Sequence, residues 1–145
     1  MATHVATQLE PIDRTECLQL LAEHHLGRLA VVVDGQPLIF PVNYALSGGQ
    51  IVFRTDPGTK LHGARDQRVA FEIDGVDTMY HDGWSVLVVG VAREEHSAAR
   101  RRAFAELPIR PWVSGPKAHW MAIAGGSITG RRIVHTTPSS TGEST

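Results

Sequence analysis

The spacing of apolar residues changes period several times along the chain. Cys17, Leu20, Leu21 and His24 recur every three or four residues. This is the stripe of a short amphipathic helix, with Asp13 and Glu16 as a capping pair and Gly27 as its stop. Residues 28–33, 37–46 and 50–55 are strand-like. Between them lie Asp34-Gly35 and Ser47-Gly48-Gly49, which supply the positive φ angles of tight hairpins, so three antiparallel strands in a meander are expected. Residues 57–67 read as a helix, with Asp56 at the cap and Pro57 in the first position. Val69, Phe71 and Ile73 alternate through residues 68–74 and return the chain to a sheet. Residues 84–92 are nearly all apolar, the pattern of a strand covered on both faces, and Gly90 marks a bulge or a close approach within it. Residues 97–107 form a charged helix opened by Ser97 and closed by Pro108. Pro108, Pro111 and Pro116 then set a turn-rich linker around Trp112. The last two strands, 118–124 and 127–134, are separated by a Gly125-Gly126 turn.

This pattern predicts a mainly β chain of six or seven mostly antiparallel strands and three short helices, with a sheet that loses its edges by closing into a barrel. Residues 1–9 and 136–145 are polar and aperiodic. They are expected to be loosely ordered ends of one domain spanning residues 10–135. A chain of 145 residues is long enough for one core. Its formal net charge of -1 gives no basic surface for nucleic acid. The single cysteine, Cys17, excludes an internal disulfide. No apolar run approaches the ~20 residues of a membrane span, and the first residues lack the pattern of a signal peptide. A cytoplasmic protein without membrane or nucleic-acid partners is expected.

The sharpest chemical feature is Arg54-Thr55-Asp56-Pro57-Gly58-Thr59-Lys60. A guanidinium, two hydroxyls and an ammonium gather there where a strand gives way to a helix start, an arrangement suited to a phosphate. Spacing alone leaves a plainer reading open, in which Asp56 and Pro57 cap a helix and the charges are solvated. The eight histidines show no metal-ligand spacing, and no metal site is expected. His62, two residues beyond Lys60, is the one histidine placed to approach a bound ligand. It is the candidate catalytic residue. Neither Glu72 and Asp74 nor Ser85 has the partners a hydrolase needs, and no GxGxxG fingerprint is present.

Six segments carry a resemblance in fixed order. They are Leu26-Gly27-Arg28-Leu29-Ala30, Pro41-Val42-Asn43-Tyr44, Val52-Phe53-Arg54-Thr55 with Gly58 and Lys60, Val69-Ala70-Phe71-Glu72-Ile73-Asp74, Gly83-Trp84-Ser85-Val86 with Gly90, and Ile128-Thr129-Gly130-Arg131-Arg132-Ile133. Over residues 13–134 the chain resembles the small bacterial members of the pyridoxamine 5'-phosphate oxidase-like family. The resemblance implies a split β-barrel homodimer with two clefts at the subunit interface. These hold FMN or, in some actinobacterial relatives, the deazaflavin F420. It also implies that Arg54, Thr55, Thr59 and Lys60 hold the cofactor phosphate and that Pro41, Val42 and Asn43 run along the isoalloxazine ring. Trp84 and Ser85 would reach the flavin from the second subunit. The expected function is that of an FMN-dependent oxidoreductase acting on a small molecule. The alternatives are an F420-dependent reductase and a non-catalytic flavin- or haem-binding protein. The polar C-terminal tail departs from the longer substrate-binding end of the family's true vitamin B6 oxidases.

Overall fold

The computed structural model describes residues 6–109 and 119–136. Among them are eight strands, two α-helices and one turn of 3-10 helix at His62–Ala64. The order is β1 (Ala6–Ile12), α1 (Arg14–Glu23), β2 (Leu26–Val33), β3 (Gln36–Asn43), β4 (Ala45–Ser47), β5 (Gln50–Thr55), β6 (Arg68–Asp77), β7 (Asp82–Glu94), α2 (Ala98–Ala105) and β8 (His119–Thr136). All pairings are antiparallel, and the strands lie in the order β3-β2-β6-β7-β8-β5-β4, with β1 also against β8. The sheet curls around its core as a split barrel.

The local signals explain most of these elements. Asp13 caps α1 by accepting from the Glu16 amide at 2.8 Å, and Asp34 and Gly35 take φ values of 52° and 77° at the β2–β3 hairpin. Ser97 caps α2 by accepting from the Arg100 amide. Helix α1 buries Cys17 and Leu21 completely, and the Leu21 side chain contributes about 1.5–3 kcal/mol by leaving water. Burial raises the pKa of the Cys17 thiol. Across the barrel, Leu29, Phe53, Phe71, Val86 and Met121 form the inner layer. Tyr44 fills its end. Its hydroxyl donates to the Leu21 carbonyl at 2.7 Å, its ring meets the Phe71 ring edge-on at 4.8 Å, and burial pushes its pKa up.

The structure departs from the sequence pattern in several places, each with a physical cause. Residues 6–9 carry no strand signal, yet they form the start of β1, because the far end of β8 offers them a complete ladder of partners. Helix α1 stops at His24, before Gly27. Gly27 lies inside β2, where a Cβ would sit 2.2 Å from the Phe71 ring. The three-strand meander is two separate hairpins. The chain leaves its strand at Tyr44, and β5 pairs with β8 in place of β3.

Residues 57–67 form turns and the single 3-10 turn in place of a helix, with Gly58 at φ 80° and Asp66 at φ 64°. The expected Gly125-Gly126 turn is absent, and β8 runs straight through it. Gly90 and Gly126 face each other at a β-bulge, where a Cβ on Gly126 would stand 2.3 Å from the Val89 carbonyl oxygen. Within a single chain only one face of residues 84–92 is buried. Val86 and Val88 point into the core while Leu87 is exposed and Val89 and Val91 are half-buried. The proline-rich linker around Trp112 and the tail beyond residue 136 lie outside the described residues.

Candidate functional site

At the end of β5 the side chains alternate between two faces. Thr55 shares the inner face with Ile51 and Phe53. Arg54 shares the outer face with Val52, over the Trp120 ring at 5.1 Å. Two buried polar atoms there, the Arg54 Nε and the Thr55 Oγ1, have no hydrogen-bond partner among the described residues. Leaving such groups dry and unpaired costs about 1–3 kcal/mol each. Beyond them the chain turns back through Thr59, whose hydroxyl donates to the Asp56 carbonyl at 2.8 Å and accepts from the His62 amide at 3.1 Å. Thr59 and Lys60 are exposed. The end of β5 and the turn after it thus carry two unpartnered polar atoms, on Arg54 and Thr55, and an exposed ammonium, on Lys60, and such donors suit a phosphate group. The fit does not depend on a helix terminus, since none forms there.

His62 turns inward, away from that surface. It is 7% exposed, and its Nε2 lies 2.7 Å from Glu94 Oε1. His119, directly opposite Thr55 in the β5–β8 ladder, places Nδ1 at 3.1 Å from Glu94 Oε2. The two imidazole rings are 4.6 Å apart. The hydrogen bond from His62 holds the Glu94 carboxyl down to about 2 against its partial desolvation, with His119 adding to the effect. Beside this group lies a pocket of about 510 Å³, lined also by Arg65, Asp66, Arg93 and His96. Sequence reasoning did not find Glu94, His119 or Trp120. Glu94 stands on β7 and His119 and Trp120 on β8, and they meet His62 and Arg54 only in the folded chain, so no local spacing announces them.

The remaining expected residues lie elsewhere. In β3, Pro41 is exposed, Val42 is buried and Asn43 is half-buried. Trp84 and Ser85 pair with Arg132 and Arg131 of β8, whereas Arg54 and Thr55 pair with Trp120 and His119. Twelve residues of β8 (120 to 132) separate these places, on the order of 40 Å of strand at ~3.3 Å per residue. Trp84 packs its ring 5.0 Å from that of His24 and over Gly75, where a Cβ would meet its indole nitrogen at 2.5 Å. It lines a second pocket of about 610 Å³ with Arg132, His135 and the hairpin residues Val76 and Asp82. Arg54 and Thr55 thus stand on opposite faces of the β5 end, with Thr59 and Lys60 on the exposed turn that follows, and Trp84 and Ser85 lie at the far end of the ladder. Among the described residues, no helix is long and apolar enough to cross a membrane.

Comparison with known proteins places this geometry. The family model described as pyridoxamine 5'-phosphate oxidase matches residues 13–132. An uncharacterised Mycobacterium tuberculosis protein is 32% identical over 135 residues, covering 89% of this chain and 88% of its own. The solved structure of an FAD binding protein from Mycobacterium smegmatis is 38% identical with a TM-score of 0.76, covering 85% of this chain and 97% of its own. A FAD-binding protein from Mesorhizobium loti shares the fold at 23% identity and a TM-score of 0.70, covering 86% of this chain and 97% of its own. The eight-stranded split barrel, its strand order and the family match agree, and the chain belongs to the pyridoxamine 5'-phosphate oxidase family.

Proposed function

We propose that the protein is a flavin-dependent oxidoreductase acting on a small molecule in clefts between the two subunits of a homodimer. The observation that carries this reading is the pair of unpartnered buried atoms, Arg54 Nε and Thr55 Oγ1, beside exposed Thr59 and Lys60. Thr55 at the strand end, with Thr59 and Lys60 on the exposed turn beyond it, would hold the cofactor phosphate. Arg54 contributes positive charge from the outer face, held in place by Trp120. Pro41, Val42 and Asn43 would border the ring. The separation of Trp84 and Ser85 from Arg54 within one chain supports a site completed by the second copy. Exposed Ile39, Val76, Met79 and Tyr80 on β3 and around the β6–β7 hairpin supply apolar surface for that copy. When bound, a flavin supplies hydride or electron transfer at its N5, and the protein binds, orients and shields it.

FMN is the cofactor in the first reading. The M. smegmatis relative, described as FAD binding, favours a second, in which the same strand end holds one phosphate of the FAD pyrophosphate. The test is the visible spectrum of the purified protein, followed by chromatographic identification of the released cofactor. A flavin spectrum that bleaches anaerobically with NADPH is expected, with FMN or FAD distinguishing the two readings. A protein that takes up neither would refute both, and one that takes up F420 would replace them.

A further inference from the structure

We propose that His62, Glu94 and His119 form a binding site for a divalent transition-metal ion of the Zn²⁺ class, with donor atoms distinct from those of the adjoining flavin phosphate site. Two imidazoles and one carboxylate are a donor set suited to zinc, and with only three protein ligands they leave a position open. The three donor atoms lie within 4.8 Å of one another. A tetrahedral ion with bonds of 2.0–2.1 Å needs its ligands about 3.3 Å apart, so small side-chain rotations bring this group into place. Each residue comes from a different element: His62 from the 3-10 turn, Glu94 from the end of β7 and His119 from the start of β8. The trio is therefore fixed by the barrel itself. The His62 amide is anchored on the Thr59 hydroxyl, which limits the movement of that ring.

The hydrogen bonds of 2.7 Å and 3.1 Å that now join the imidazoles to Glu94 occupy the positions an ion would take. Metal entry displaces the bridging protons. The neighbouring pocket gives the ion a way in and room for a further ligand. His96 Nδ1 already stands 3.6 Å from Glu94 Oε2. On the pocket wall Arg65, with Arg93 paired to Asp66 at 3.5 Å, favours water or an oxyanion as the exchangeable ligand over a second cation. This assignment stands apart from the flavin reading, because metal binding is measured without reference to flavin content.

The experiment uses untagged full-length protein stripped with a chelator and titrated with Zn²⁺ against a chromophoric competitor, with metal content counted by elemental analysis. One equivalent per chain with a dissociation constant at or below about 1 µM is expected. The His119→Ala and Glu94→Gln variants should each bind Zn²⁺ at least about 100-fold more weakly. His119 is partly exposed, so His119→Ala keeps the fold, which circular dichroism checks. Substoichiometric or non-saturating uptake would overturn the proposal. So would a folded His119→Ala protein that binds Zn²⁺ as tightly as the wild type, because the ion would then sit on other histidines.

Discussion

Thr55→Val separates a ligand-binding role for the end of β5 from a merely structural one, because it moves two quantities in opposite directions. The residue is 4% exposed, and its hydroxyl has no partner among the described residues. Valine keeps its shape and its branched fit to the strand. In the ligand-free protein the substitution removes a buried unpaired hydroxyl, which costs about 1–3 kcal/mol where it stands. Valine should therefore stabilise the ligand-free fold by about 1 kcal/mol or more, raising its melting temperature by roughly 3–6 °C for a domain of this size. The same hydroxyl, if it hydrogen-bonds a charged phosphate, contributes about 1.5–3 kcal/mol to binding. Its loss should weaken flavin affinity by roughly 10- to 150-fold. Differential scanning fluorimetry of flavin-free protein gives the first number, and quenching of flavin fluorescence gives the second. A variant that melts lower without ligand, or that binds flavin as tightly as the wild type, would refute the reasoning.

Three further outcomes rest on other parts of the barrel. Burial, then the neighbouring Asp74, raises the Glu72 carboxyl to about 7, against the opposing pull of Arg28. A carboxyl raised in the folded state contributes stability that is complete below its unfolded value of 4.5 and is lost as the pH rises through about 7. The side chain is 34% exposed, so screening reduces the full effect to about 1–2 kcal/mol. Glu72→Gln should match the wild type near pH 4.5 and exceed it by that margin at pH 8 in urea unfolding, and a variant less stable at pH 8 contradicts the assignment. Gly126→Ala puts a methyl group 2.3 Å from the Val89 carbonyl oxygen and should lower stability by about 2 kcal/mol or more, read as a reduced urea midpoint. Tyr44→Phe leaves the buried Leu21 carbonyl without its 2.7 Å donor and should cost about 1–2 kcal/mol by the same measurement.

The sequence announces those parts of the fold that local chemistry decides alone. Asp13 with Glu16, Asp34-Gly35 and the Val69-Phe71-Ile73 alternation need only their neighbours, and each stands where the pattern puts it. Glycine misleads where its cause is distant. Gly27 and Gly126 resemble a stop and a turn, but each exists because another strand passes too close for a side chain, whereas Gly90 is the bulge and close approach that its place in an apolar strand implies. Residues 57–67 resemble a helix because Asp56-Pro57 suits a cap, and the following Gly58 at φ 80° breaks the run before it begins. The strand end at Arg54 and Thr55 was legible as a polar cluster. Its division between two faces was not, because that depends on which strand lies alongside. The His62, Glu94 and His119 group was illegible because a 3-10 turn, the end of β7 and the start of β8 meet only in the folded chain.

Strand β8 has a consequence for how the protein is made. It pairs with β7 along most of its length, with β5 at its start and with β1 at its end. It is also the last described element to leave the ribosome. Until it emerges, β1, β5 and β7 each keep an unpaired backbone edge, and closing the ladder between residues 6–12 and 130–136 requires nearly the whole chain. The nascent protein thus carries open strand edges until β8 emerges, the condition in which β-rich chains associate with one another. Its yield in a cell should depend more on translation rate, temperature and chaperone supply than the stability of the finished barrel would suggest.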